Sequence, residues 1–274
     1  MSDTKKADYG NWMPGGVVLF LGMVALLCAV LGVLSAAGLL GSEGSLKTWT
    51  TVSCFAAAVF AGLVFIRARQ LNRAFSYSGT ERIAERVVKA VAERVTVPEG
   101  GSVLDVGTGS GALAIEIAKR NPGATVTGVD TWAGLYRGLS EKVCSANAAA
   151  EGVSNTTFLK GDARKLPFPD GTFDVVTSNY VYHSIPYVNR PALILESIRV
   201  LKDGGTFVLH DMVPRARIQG LAEMKSALES AGCRGVKLTQ TDDGLILEKR
   251  RARFLGLGGS YLLTGRKGKA PKKS

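Results

Sequence analysis

Three aspartates and a glycine-rich pentapeptide carry most of the chemistry open to this chain. Gly107-Thr108-Gly109-Ser110-Gly111 lies between the apolar stretch SVLDV and the helix-like ALAIEIAKR, where a strand turns into a helix. Three glycines there permit a tight turn and let a ligand approach the backbone at a helix start. Gly107-x-Gly109-x-x-Ala112 also satisfies a dinucleotide fingerprint, which alone leaves the ligand open. Asp105 narrows the choice, because a carboxylate two residues before the first glycine repels a pyrophosphate and attracts an ammonium group. Asp130 closes the next strand and is placed to accept from both hydroxyls of a ribose, a role common to either kind of ligand. Asp162 follows a third strand. The only histidines, His183 and His210, both fall at strand carboxyl ends, where an imidazole with a pKa near ~6.5 can take a proton from an acceptor. Tyr180, Tyr182 and Tyr187 read as the wall of an acceptor pocket or as core. No metal site is expected: the histidines are far apart, and Cys28, Cys54, Cys144 and Cys233 form no C-x-x-C pair and no disulfide framework.

The elements that must position these residues alternate. SVLDV, ATVTGVD, TTFLKGD, TFDVVTS and GTFVLHD read as strands, the last after an LKDGG turn, with helical segments such as RPALILESIRVL between them. That alternation implies βαβ units in a doubly wound, mostly parallel α/β sheet, with ligands outside the carboxyl ends of the strands. Ahead of the first strand, Ile83, Val87, Val91 and Val95 recur every four residues in TERIAERVVKAVAERV, a helix with one apolar face.

In order and spacing, VLDVGTGSGALAIEIAK, GVD, GDARKLPFPDGTFDVVTSNYVYHSI and LKDGGTFVLHD resemble the successive motifs of class I S-adenosylmethionine-dependent methyltransferases of the UbiE-like type. The resemblance runs from about residue 80 to 265 and implies a seven-stranded Rossmann-like sheet with S-adenosyl-L-methionine as cofactor. It also implies roles. Gly107, Thr108, Gly109 and Gly111 would carry the methionine part, with Asp105 reaching its ammonium directly or through water. Asp130 would bind the ribose, and Thr131 and Trp132 would lie against the adenine. Asp162 would accept from the adenine amino group, Ala163 would offer its N–H, and Asn179 would face the methyl donor. His183 and His210 are the candidate bases, although many such enzymes need none and rely on aligning acceptor, methyl and sulfur. Asn179 precedes Tyr-Val-Tyr rather than the Pro-Pro-aromatic string typical of methylation at nucleic-acid bases, which argues against that target. The acceptor site must then use the region before residue 99, the 180–190 segment and the 213–231 region.

With 274 residues, 46% hydrophobic and 21% charged, the chain is neither disordered nor a disulfide-dense miniprotein. Residues 17–40 contain no charge and would extend about 36 Å as a helix; residues 49–66 would extend about 27 Å. Joined by a short connector, with Trp12 and Trp49 at run ends, they read as a transmembrane hairpin in which Ala57 and Ala61 allow close approach. A cleaved signal peptide following Lys5 and Lys6 is the alternative for the first run, although signal h-regions usually span only ~7–15 residues. A buried soluble hairpin is another, poorer because both runs are apolar all round. Arg67, Arg69 and Arg73 after the second run place both termini and the catalytic domain in the cytoplasm by the positive-inside rule. The expected organisation is an anchor over 1–70, a connecting helix over 71–98, a methyltransferase domain over 99–265 and a basic tail over 266–274.

The net charge of +11 is concentrated. Residues 248–274 hold nine basic residues and one acid, and the rest of the excess lies at Arg67, Arg69 and Arg73. Such an end suits anionic headgroups; nucleic acid and a merely solvated tail are its competitors. The expected function is methyl transfer to a small, lipophilic or membrane-associated acceptor such as a quinone precursor or another lipid. The alternatives are a soluble acceptor with the hairpin as an address, a non-catalytic cofactor-binding scaffold, or a membrane-recruited nucleic-acid modifier.

Overall fold

The computed structural model describes residues 6–41, 43–133, 138–186, 189–213 and 219–268. The expectations placed on Lys5, Tyr187 and residues 269–274 of the basic tail lie outside them. The chain divides into two compact units, Gly10–Glu85 and Arg86–Ser274, the latter joined by Met1–Tyr9.

The first unit is a helical hairpin of α1 (Gly15–Ala36) and α2 (Gly44–Phe75). Both helices are long and apolar enough to cross a membrane, with mean hydropathies of 3.0 and 2.0 over their most apolar windows. Leu19, Phe20, Leu26, Phe60 and Leu63 are each at least 60% exposed, so the apolar surface faces outward rather than into a core. The helices differ from the runs that announced them. Helix α1 stops at Ala36 because Gly38 adopts φ +78°, and Leu39 donates its N–H back to Leu34 O at 2.9 Å. Helix α2 begins inside the expected connector and continues to Phe75, well past the apolar run. Close approach comes mainly from α1: a Cβ on Gly22 or Gly32 would lie 3.1–3.2 Å from the rings of Phe65 and Phe55. Ala61 is buried but Ala57 is exposed. Ser35 bonds the hydroxyls of Thr50 and Thr51 at 2.8 and 2.9 Å, satisfying polar groups in an otherwise apolar pair.

The expected helix ahead of the sheet is α3 (Ile83–Ala92), and its four-residue apolar repeat is buried. The second unit holds a seven-stranded sheet: β1 (Ser102–Val106), β2 (Thr125–Asp130), β3 (Thr156–Lys160), β4 (Phe173–Asn179), β5 (Leu201–Met212), β6 (Arg234–Gln240) and β7 (Ser260–Arg266). The strand order is β3-β2-β1-β4-β5-β7-β6. Strands β1 to β5 pair in parallel, whereas β7 runs antiparallel to both β5 and β6. Helices α4 (Ala112–Arg120), α5 (Glu141–Ala150), α6 (Arg190–Arg199) and α7 (Gln219–Ser230) supply the crossovers, and α8 (Lys249–Leu255) lies between β6 and β7. Val103 to Val106 are all buried, as a strand covered on both faces requires. The expected LKDGG turn is the first part of β5 instead, and a register shift between Phe173 and Val175 absorbs it.

Candidate active site

The glycine loop sits at the carboxyl end of β1, and each of its glycines answers a separate constraint. Gly107, Gly109 and Gly111 all have positive φ. A Cβ on Gly107 would lie 2.3 Å from Val181, so this glycine makes room for a neighbouring side chain rather than for a ligand. A Cβ on Gly109 would meet only Leu139 Cδ1, at 4.0 Å, so the side-chain face of this glycine is open. Gly111 starts α4 against the ring of Phe158.

Asp130 organises the loop. One oxygen accepts from Gly109 N at 2.9 Å and the other from Trp132 N at 2.8 Å. Trp132, held at φ +47°, donates its indole N–H to Gly109 O at 2.8 Å. Thr131 and Trp132 are half-buried beside it. At the end of β3, both oxygens of Asp162 are taken by the Arg164 guanidinium, and one also by Arg164 N; that hydrogen bonding holds the carboxyl below its usual range. An adenine amino group at Asp162 must therefore share the carboxylate with Arg164, whose exposed side chain can yield. Ala163 is buried. Asp130→Ala is expected to raise the dissociation constant for S-adenosylmethionine about 10–100-fold, because charge-assisted hydrogen bonds contribute about 1.5–3 kcal/mol each, and Asp162→Ala only about two- to fivefold. Calorimetric titration checks both, and wild-type affinity in both variants would mean that the cofactor sits elsewhere.

Asp105 is buried on β1. Its Oδ1 accepts from the Thr177 hydroxyl at 3.1 Å, while Oδ2 has no protein partner, the Thr108 hydroxyl lying nearby outside bonding geometry. Burial pushes its pKa up to about 7, opposed by the Thr108 and Thr177 hydroxyls. A buried carboxylate oxygen without a donor, close to a glycine loop with an open face, fits a ligand that brings an ammonium group.

The two histidines part company. His210 on β5 is 1% exposed, with Nδ1 against Asn179 Oδ1 at 2.8 Å and Nε2 against the Thr241 hydroxyl at 2.9 Å. Burial pushes its pKa down to about 4. With both ring nitrogens engaged it has no lone pair to offer an acceptor, so the expectation of a base at His210 is corrected to a structural link. The same bond occupies Asn179 Oδ1, expected to face the methyl donor. His183 lies in a short 3₁₀ turn after β4 and is part-exposed. Its Nδ1 is 2.6 Å from Asp211 Oδ1, and its backbone N–H donates to Asp211 Oδ2 at 3.0 Å. A carboxylate only accepts, so Nδ1 carries a proton, and the neutral form of the ring has its lone pair at Nε2. His183, Arg190 and Asp211 edge a cavity whose apolar wall includes Ile194, Leu221 and Met224. Tyr182 is buried in the core and bonded to Ser197 at 2.9 Å, while Tyr180, at φ +57°, bonds Ser260 at 2.8 Å.

Sequence reasoning missed two residues. Asp211, next to His210, sits on the opposite face of β5 and holds His183. Asn147 is buried on α5 with Cys144 and Ala148, and the signal was available: an asparagine within the apolar stripe of a helix. It exchanges two hydrogen bonds with the backbone of Asp8, at 2.8 and 2.9 Å, and donates to Ser110 O of the glycine loop at 3.0 Å. Asn147→Ala is expected to weaken S-adenosylmethionine binding about three- to tenfold and to free the amides of residues 6–9 for hydrogen exchange, both measurable on the same preparation. Among the described residues no cluster of three or more His, Cys, Asp or Glu could hold a metal ion.

A sheet of this order, with its last strand reversed and its glycine loop after β1, is the frame of the class I S-adenosylmethionine-dependent methyltransferases, and residues 104–209 carry the methyltransferase domain within it. Residues 104–209 match the methyltransferase domain family. The ubiquinone/menaquinone biosynthesis C-methyltransferase UbiE of Geobacter sulfurreducens is 35% identical over 150 residues, 54% of this chain and 55% of that protein. A demethylmenaquinone methyltransferase of Thermus thermophilus is 33% identical over 144 residues, 53% and 60% of the two chains. The malonyl-[acyl-carrier protein] O-methyltransferase of Geobacter sulfurreducens is 31% identical, with 60% and 66% covered. The chain thus spans little more than half the length of the first two of these relatives. Its fold matches a SAM-dependent methyltransferase from Aquifex aeolicus with a TM-score of 0.51 at 19% identity, covering 72% of this chain and 97% of that one.

Proposed function

We propose that this protein transfers a methyl group from S-adenosylmethionine to a small lipophilic acceptor at a membrane, with His183 and Asp211 removing the acceptor's proton. The observation that carries the reading is the His183–Asp211 pair at the edge of an apolar cavity by the carboxyl ends of β4 and β5. The cofactor supplies an electrophilic methyl on a sulfonium. The chain's residues do the rest. Asp211, itself held by Met212 N at 2.7 Å, fixes the imidazole tautomer and stabilises the ring once it is charged. His183 Nε2 would accept the acceptor's proton, leaving on the acceptor's attacking atom the electron pair with which it would take the methyl that the bound cofactor supplies. The apolar side chains of Ile194, Leu221 and Met224 give this edge a lining that suits a lipophilic acceptor. Asp105 balances the ammonium, and Asp130 with the glycine loop holds the ribose end.

A lipophilic acceptor is supported by the apolar wall, by the outward-facing apolar hairpin and by relatives named for quinone methylation. A topology with the N-terminus and the catalytic domain on one side of the bilayer draws support from the Asp8–Asn147 hydrogen bonds, which need both groups in one compartment. The test is transfer of labelled methyl from S-adenosylmethionine by full-length protein, offered a total membrane-lipid extract and a pool of soluble phenols. Label in a lipid band supports the reading; label only in soluble phenols overturns the lipophilic acceptor while leaving methyl transfer standing.

A further inference from the structure

Between β6 and β7 the chain inserts residues 241–259 where a tight hairpin would suffice. Strand β6 runs parallel to β5, since both are antiparallel to β7, so the insertion leaves and re-enters the sheet at its carboxyl edge. Tyr261, just after it, pairs with Asp211, and Ser260 pairs with Met212. The acceptor cavity and the insertion therefore share one edge.

The insertion is folded and pinned. Ile246, Leu247, Ala252, Leu255 and Leu257 are buried. At one end Thr241 bonds His210; at the other Ser260 bonds Tyr180, and Asp242 accepts from Gly259 N at 2.8 Å. Within α8 the residues sort by face: Ala252 and Leu255 point inward, while Lys249, Arg250, Arg253 and Phe254 fall within about 140° of the outer circumference, at 100° per residue. Helix α8 carries no acid. Asp243 and Glu248 precede it, and Asp243 lies 3.9 Å from Lys249 Nζ. Phe254 and Leu245 are exposed at 38% and 43%, and the Arg251 guanidinium lies 4.9 Å from the Phe254 ring centroid. Exposed apolar side chains flanked by cations on a rigid support are the pattern of an element that lies in the headgroup region of an anionic bilayer.

We propose that the 241–259 insertion is a membrane-docking element: Phe254 and Leu245 enter the headgroup boundary, Lys249, Arg250 and Arg253 engage anionic phospholipids, and the carboxyl edge of the sheet is thereby turned toward the bilayer. It rests on the reading of the hairpin as a membrane anchor and adds to it an orientation of the catalytic domain. A lipophilic acceptor then reaches His183 from the lipid surface without crossing bulk water.

The test is hydrogen exchange on the full-length protein in nanodiscs of phosphatidylcholine alone, or of phosphatidylcholine mixed with phosphatidylglycerol. Amides of residues 245–255 are expected to exchange about tenfold or more slowly in the anionic discs, since each basic residue near such a surface favours binding about fivefold. High salt, and the combined variant Lys249→Glu, Arg250→Glu, Arg253→Glu, are expected to remove the difference. Unchanged S-adenosylmethionine affinity shows that this variant is folded, and Phe254→Ala gives a milder second probe. Equal exchange in the two disc types at low salt overturns the proposal, as does protection by added RNA in place of anionic lipid. Free exchange of hairpin amides 17–35 and 50–66 in both discs would be a separate and recognisable failure, that of the anchor itself, and would remove the proposal with it.

Discussion

His183→Ala is expected to slow methyl transfer about 10²–10⁴-fold at saturating acceptor while leaving S-adenosylmethionine affinity within about twofold of wild type. The separation follows from placement. His183 belongs to the turn after β4 and to the cavity lined by Arg190 and Asp211, whereas the glycine loop and Asp130, proposed to hold the cofactor, follow β1 and β2. Asp211→Asn is the sharper variant, because an amide at this position can present a donor to Nδ1 and favour the tautomer in which Nε2 carries the proton. It is expected to lose about 10²-fold or more in kcat with little change in KM, a split that simple loosening of the turn would not produce. Single-turnover measurements with bound cofactor check both variants. Wild-type kcat in His183→Ala would leave alignment alone as the source of catalysis.

Asp105→Asn is expected to weaken S-adenosylmethionine binding about 100-fold at pH 8 and to abolish a pH dependence that the wild type should show. The sign follows from burial. Burial pushes the pKa of the folded carboxyl up to about 7 from its ordinary 3.8, so between those values the native state holds a proton that the unfolded chain has released. The contribution of Asp105 to the stability of the ligand-free protein is therefore greatest below the lower value, falls as pH rises through the window, and levels off above pH 7, a loss on the order of 4 kcal/mol at most. Binding runs the other way. An ammonium group favours the ionised carboxylate, so affinity rises with pH up to about 7, by roughly tenfold per unit where the proton must be released. Calorimetric titration from about pH 6 to pH 8 on wild type and Asp105→Asn isolates this group from others that titrate there. A wild-type affinity that is flat across the range would show that Asp105 does not meet the charge.

Much of this arrangement was legible in the sequence because parallel strands buried on both faces read as apolar runs, and their ends carry the ligand residues. Strands β1 to β4 stand close to where SVLDV, ATVTGVD, TTFLKGD and TFDVVTS place them. Strand β6 was not read: RGVKLTQ has only one fully buried position, and an edge strand leaves a weak hydrophobic signature. The hairpin shows a different limit. Hydropathy locates what is apolar, not what is helical, so Leu39 and Leu40 read as span although Gly38 ends the helix, while RARQLNRAF reads as flank although α2 passes through it. The histidines were equivalent on paper because both end strands. Only the side to which β5 turns each residue sends His210 into the core and Asp211 to His183.

The Asp8–Asn147 contact also dictates an order of events in synthesis. Its partners are 139 residues apart, and closing a loop of that length costs about 4 kcal/mol in chain entropy. Two hydrogen bonds do not offset that alone, so Asp8 can settle only after α5 and the glycine loop have packed and Asn147 already waits at a fixed position. Residues synthesised well before the sheet are thus among the last to find their place, and a change at Asp8 bears on the last-formed part of the glycine loop's support.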